Sequence, residues 1–209
     1  MRLGVFGASG RTGQAMLRLA ESRGWRVQAL VRASSPCEAR SGVEVLRGSL
    51  DSPPNVLATV RGVEAVCCVF GPRSPRAESF SARVTGRIIL AMQSVGVRRL
   101  LCLTGAMVGE LAPNVSLAMR TMAAAYRRQY PELAADAAQQ ERAVVDSGLD
   151  WTVVKPPRLT SGPATHHIRA DRALRVGLLS YISRGDLAAF ILDEALVSRY
   201  LRERVYVCS

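Results

Sequence analysis

Apolar residues along this chain follow two alternating rhythms. Short runs in which nearly every position is apolar are separated by longer stretches in which apolar residues recur every three to four positions. The first rhythm predicts strands at 2–6, 26–31, 43–47, 65–70, 99–103, 151–154 and 204–207. The second predicts helices at 12–23, 54–61, 79–95, 118–129, 133–147 and 184–197. Gly24, Gly62 and Gly96 close three of these helices, and Pro131 separates the fourth from the fifth. Strands that are apolar throughout and alternate with helices define a parallel sheet covered on both faces. Right-handed crossovers then wind the sheet doubly. The expected class is therefore α/β, a doubly wound parallel sheet with helices on both faces. No linker, repeat or low-complexity segment breaks the rhythm, so residues 1–209 are read as one domain.

Composition changes this picture little. Apolar residues make up 48% and charged residues 22% of the chain, both near the globular average, which excludes a disordered chain. No apolar run approaches the roughly 18 residues that span a bilayer, and the start does not read as a signal peptide. The expectation is no membrane partner and a cytoplasmic location. Cys37, Cys67, Cys68, Cys102 and Cys208 are odd in number, irregular in spacing and without a C-x-x-C pair. They suggest neither a disulfide framework nor a metal site. Asn114-Val115-Ser116 fits a glycosylation sequon, which has no meaning without secretion. The formal charge of +11 raises nucleic acid as a partner. The arginines are scattered, however, and aromatics are only 5%, so no basic stripe interleaved with stacking rings exists and nucleic acid is not expected. A small anionic ligand would profit from the same field. Monomer and homodimer both stay open.

The most specific chemistry lies between the first strand and the first helix. Gly7-Ala8-Ser9-Gly10-Arg11-Thr12-Gly13 spaces three glycines three apart in a strand–turn–helix context. Gly7 suits a tight turn, Gly10 lets the main chain approach a pyrophosphate, and Gly13 lets the helix pack close to the strand. Free amides at the helix start then face the phosphates, with Ser9, Arg11 and Thr12 beside them. Thr12 is expected to cap the helix or to donate its hydroxyl. Nineteen residues after Gly13, where an acid would hold the ribose hydroxyls of NAD, stands Arg32, followed by Ala33-Ser34-Ser35. A guanidinium and the hydroxyl of Ser35 suit a ribose 2′-phosphate, and Arg11 is placed to reach the same group. The cofactor expected is NADP(H).

These residues, with Ala29-Leu30-Val31-Arg32, resemble the atypical short-chain dehydrogenases of the NmrA-like, NAD(P)-binding type. The likeness is strongest to the flavin reductase/biliverdin reductase B group. Gly96-Val97-Arg98-Arg99-Leu100, Lys155-Pro156-Pro157 and Ile182-Ser183-Arg184-Gly185-Asp186-Leu187-Ala188 extend it over nearly the whole chain. The resemblance implies a Rossmann-type fold with NADP(H) along the strand ends. It implies that Phe70-Gly71 line the cofactor and that Pro156-Pro157 sit beside the nicotinamide. It also implies hydride transfer to a small acceptor such as a flavin, tetrapyrrole, quinone or carbonyl compound. Three departures stand out. The Gly-Asp pair expected near the adenine reads Gly48-Ser49-Leu50-Asp51, which brings Leu50 to that place. The Thr-Ser pair after strand five is Thr104-Gly105, and no Tyr-x-x-x-Lys dyad is present.

Hydride chemistry belongs to the cofactor, and the protein supplies alignment and a proton or hydrogen bond. Thr104, at a strand end beside the expected nicotinamide, is one candidate donor. Tyr126 is another, provided that helix 118–129 folds over the site. His167, in a loop expected to overhang the cleft, is a third. Lys155 is expected either at a phosphate or in solvent. The alternatives are a dinucleotide-sensing regulator without turnover, or a tailoring enzyme or isomerase that borrows the bound cofactor. The acceptor itself is not legible, although 107–131 is expected to form the substrate wall.

Overall fold

A computed structural model describes residues 1–37, 40–71, 80–113 and 115–209. Strand β1 (Arg2–Phe6) enters helix α1 (Arg11–Ser22), followed by β2 (Arg26–Val31), β3 (Val43–Arg47) and α2 (Pro53–Val60). Next come β4 (Ala65–Cys68), α3 (Phe80–Ser94), β5 (Arg99–Leu103), α4 (Leu117–Gln129) and α5 (Pro131–Val145). The remainder is β6 (Asp150–Lys155), β7 (Arg158–Thr160), β8 (Arg169–Asp171), β9 (Tyr181–Ser183), α6 (Arg184–Val197) and β10 (Glu203–Cys208). The central sheet has the order β3-β2-β1-β4-β5-β6-β10-β8. Its strands pair in parallel except at the edge, where β8 runs antiparallel to β10. This is the doubly wound Rossmann-type arrangement, with the order reversing between β1 and β4.

Alternation along β1 divides the core. Leu3 and Val5 join Met16, Leu17, Leu187 and Ile191 under α1 and α6. Phe6 turns the other way and joins Val56, Ile88 and Val144 under α2, α3 and α5. Both faces of the sheet are covered, which is why the strands read as continuous apolar runs.

The structure corrects several expectations. The sheet is not wholly parallel, and three short strands (β7, β8 and β9) were not anticipated. Strand β4 stops at Cys68 rather than at residue 70. Pro131 does not merely separate two helices but opens α5, where its missing N–H costs nothing. The expected helix start at Ser79 and the sequon residue Asn114 lie outside the described residues. Among the described residues no helix is long and apolar enough to cross a membrane.

The free thiols of β4 and β5 carry a pH consequence. Cys67 and Cys102 are fully buried, and burial pushes both thiols from 9.0 up to about 12. A folded-state value above the unfolded one contributes stability that is complete below the unfolded value and is lost as pH rises through the folded one. Stability should therefore fall between pH 9 and 12, by about 1.4 kcal/mol per pH unit for each thiol. Urea unfolding at pH 8 and at pH 10.5 checks this. The Cys67→Ala/Cys102→Ala variant should lose distinctly less stability over that interval than the parent; equal losses would refute it.

Candidate active site

The glycine turn is built as its spacing requires. Gly7 has φ +96°, and a Cβ there would come within 2.8 Å of Phe70 N and Val69 O, so β1 and β4 abut through bare backbone. Gly10 donates its N–H to Gly7 O at 3.0 Å and forms the N-cap of α1. No side chain caps this helix, so the amides of its first turn remain free for an anion. Of the two expectations for Thr12, capping is not met, since Gly10 is the N-cap and no side chain caps the helix. Thr12 is buried inside the first turn, while Ser9, Gly10 and Arg11 stay accessible. The cradle fits a diphosphate: bare backbone, free donors and no acid in the turn.

At the end of β2, Arg32 is exposed and its side chain is free of ion pairs among the described residues. Ser35 is 4% exposed, and its hydroxyl finds no partner among the described residues. An orphaned hydroxyl beside a free guanidinium suits a phosphate. Arg47, which the sequence reading passed over, holds this loop in shape. It donates to the carbonyls of Ala33, Ser35 and Cys37 at 3.1–3.3 Å. Leu50 is half-buried against the apolar cluster under α2 and α3. The neighbouring Asp51 is engaged with Arg83 and Arg87 of α3.

A cavity of about 490 Å³ opens where β4, β5 and β6 end. Phe70, Gly71, Thr104, Gly105, Pro156 and Pro157, drawn from three separate strand ends, all line it. Helix α4 does fold over the site, because Ser116 caps it by accepting the Met119 N–H at 3.2 Å and Met119 is buried beneath. Tyr126 thus reaches the cavity, while Tyr130 packs against its ring with centroids 5.5 Å apart. Burial, reinforced by Tyr130, holds the Tyr126 phenol above its usual value, so it stays protonated at neutral pH. Thr104 Oγ1 is buried and has no hydrogen-bond partner among the described residues. An unmade bond of this kind costs about 1–3 kcal/mol, and a bound group that accepts the hydroxyl would recover it.

Sequence reasoning missed the second wall of this cavity. Leu133, Asp136, Ala137 and Gln140 of α5 line it, as do Arg158 and Leu178. Asp136 is not free for chemistry, since it accepts the Ser81 and Ala82 N–H groups at 2.9 Å and so caps α3. Gln140 donates to Thr85. The apolar Leu133 and Ala137, one turn apart with Gln140 on the same helical face, were the available signal.

Lys155 is neither at a phosphate nor in solvent. It is the only lysine of the chain and is fully buried. Its Nζ donates to Glu141 and to Val108 O, both at 2.7 Å. Glu141 in turn accepts from Arg204 at 2.6 Å. Burial pulls the lysine below its usual value, and Glu141 opposes that shift. The ion pair ties β6, α5, β10 and the 105–110 loop together immediately behind the prolines.

His167 is not brought to the cavity. It is exposed, and its N–H donates to Thr165 Oγ1 at 3.3 Å. Asp186 is the cause. Its carboxylate accepts the Thr165 and His166 N–H groups at 2.9–3.1 Å and the Ser183 hydroxyl at 2.8 Å. Burial alone would raise this carboxyl, but those bonds outweigh it and hold the group below the usual range. The loop is drawn to the start of α6. Among the described residues no group of His, Cys, Asp and Glu could hold a metal.

Residues 7–196 match the NAD(P)H-binding family, and the chain belongs to it. The 2-alkyl-3-oxoalkanoate reductase of Stenotrophomonas maltophilia is 30% identical over 94% of this chain and 66% of that protein. A short-chain dehydrogenase/reductase from Veillonella parvula, solved in complex with NADP, superposes with a TM-score of 0.82 at 16% identity, covering 100% of this chain and 94% of the other. ChuY, an anaerobillin reductase from Escherichia coli O157:H7, superposes with a TM-score of 0.79 at 20% identity, covering 99% and 96%.

Proposed function

We propose that the chain is an NADPH-dependent reductase, of the atypical short-chain dehydrogenase type, that transfers hydride to a small acceptor with an apolar body. The observation that carries this is the partnerless hydroxyl of Thr104 on a cavity that also includes Tyr126 and the Pro156-Pro157 pair. The cofactor, when bound, supplies the hydride. The residues do the rest. The amides of the glycine turn hold the diphosphate, while Arg11, Arg32 and Ser35 favour a 2′-phosphate. Phe70-Gly71 and Pro156-Pro157 bound the nicotinamide end. Thr104 orients the reacting groups, and Tyr126 offers the proton when the acceptor's oxygen gains charge. Methionine and leucine side chains of α4 and α5 keep water out. The reductase relatives support the reaction class, and the NADP-bound neighbour supports the cofactor. Five free thiols suit a reducing compartment, and we place the chain in the cytoplasm.

Steady-state NADPH oxidation with flavin, tetrapyrrole, quinone and β-keto acid acceptors tests the reading. Thr104→Val should lower kcat by about 10- to 100-fold, as expected for one hydrogen bond used in the transition state, with NADPH affinity little changed. Tight NADPH binding without turnover of any acceptor would instead favour a dinucleotide sensor. A separate prediction concerns cofactor choice. Arg32→Glu should weaken NADPH by about 100-fold while NADH changes less than about three-fold, because only the former carries a 2′-phosphate. Equal losses, measured by fluorescence titration, would remove the 2′-phosphate assignment.

A further inference from the structure

Most arginines near acids in this fold are paired: Arg23 with Asp193, Arg98 with Asp150, Arg99 with Glu194. Arg11, Arg18 and Arg184 have no carboxylate within ion-pair reach among the described residues, yet they gather on one cavity of about 410 Å³ between α1 and α6. Neither an aspartate nor a glutamate lines it. Arg11 and Arg18 lie two turns apart on the same face of α1. Arg184 opens α6 and is aimed by its own bond, Nη1 to Ser161 Oγ at 2.9 Å. The acid nearest in sequence, Asp186, is turned away and spent on Thr165, His166 and Ser183. Three like charges thus share a concave space without a counterion, an arrangement that repels itself until an anion enters.

The guanidinium is all donor, and its planar fork matches phosphate oxygens. Three of them suit a group carrying two or more negative charges. The volume suits a small molecule rather than a nucleic-acid strand, which needs a continuous groove. We propose that this cavity is a second anion site, taking the diphosphate of a small molecule and lying beside the dinucleotide cleft. It borders the cleft through Ser9 and Arg11 of the glycine turn, so its occupant would touch the first site without filling it.

The probe is inorganic pyrophosphate, titrated calorimetrically into the full chain at low ionic strength, with and without saturating NADP. With NADP bound, the expected result is one site that weakens by about ten-fold or more in Arg18→Gln/Arg184→Gln, as loss of charge-assisted bonds requires; without NADP the glycine turn can take a second pyrophosphate. The same variant should keep its NADP affinity, and the exposed Arg18→Gln alone should show a smaller loss in the same direction. Three results would each overturn the proposal. They are absence of pyrophosphate binding, undiminished binding in both variants, and loss of all pyrophosphate binding once NADP is bound, which would assign the cavity to the cofactor's own diphosphate.

Discussion

Replacing Glu141 by leucine should cost about 3–5 kcal/mol of stability, because it leaves a fully buried ammonium without its counterion. Lys155 would keep only the Val108 carbonyl at 2.7 Å, and Arg204 would keep only its exposed contact with Glu110 at 3.0 Å. The double variant Lys155→Met/Glu141→Leu should recover much of the loss, since a buried pair replaced by apolar groups of like volume is often neutral. Urea unfolding of the parent, both single variants and the double variant forms a cycle whose coupling term is the measurement. A cycle with no coupling would mean that the pair does not act as one unit. A second readout separates stability from positioning. Because the pair backs Pro156-Pro157 and the 105–110 loop, the double variant should regain stability more fully than kcat.

Gly13→Val should remove dinucleotide binding and most of the folded population. A Cβ at Gly13 would lie 2.6 Å from Ala8 Cα and 2.8 Å from Ala8 O, with Gly7 O closer still. These are backbone atoms of the turn, so no side chain can yield, and α1 must move off β1. Overpacking a rigid site typically costs about 1–3 kcal/mol for added methylenes, and more where backbone must shift. By contrast, Gly10→Ala adds a methyl whose sole close neighbour is Gly7 O at 3.2 Å, in the turn proposed to hold the diphosphate. That variant should fold with a nearly parental unfolding midpoint and yet bind NADPH at least ten-fold more weakly, since the methyl occupies phosphate space. Equal damage from the two substitutions would show that the three glycines do not divide the work of packing and approach.

The strands β1, β2, β3 and β5 and the helix α6 were legible to the residue because buried parallel strands show unbroken apolar runs, and because glycine or a Ser-x-x-Asp cap marks the joins. The strands β7, β8 and β9 were not, since three-residue strands hold no periodicity and owe their pairing to partners far along the chain. The glycine turn was equally plain, for its conformations are local. The fate of Lys155 was not: its partner lies fourteen residues earlier, on a helix whose inward face is chosen by packing. His167 misled for the same reason. The loop composition suggested a cleft-side residue, while Asp186, nineteen residues on, anchors the loop at the start of α6. The hydroxyl of Tyr126 was legible, but its position over the cavity came from the Ser116 cap and the burial of Met119. Arg47 left no signal, because it binds main-chain carbonyls, which any sequence offers.

One consequence of the buried ion pair reaches the bench. With its single lysine enclosed, the native chain displays all its other cationic side chains as guanidinium or imidazole, and offers an amine-directed reagent no side-chain target. Acylation at residue 155 would therefore occur only through molecules that have opened. The yield of that one modified peptide is a built-in counter of unfolding, readable by mass spectrometry without an added probe.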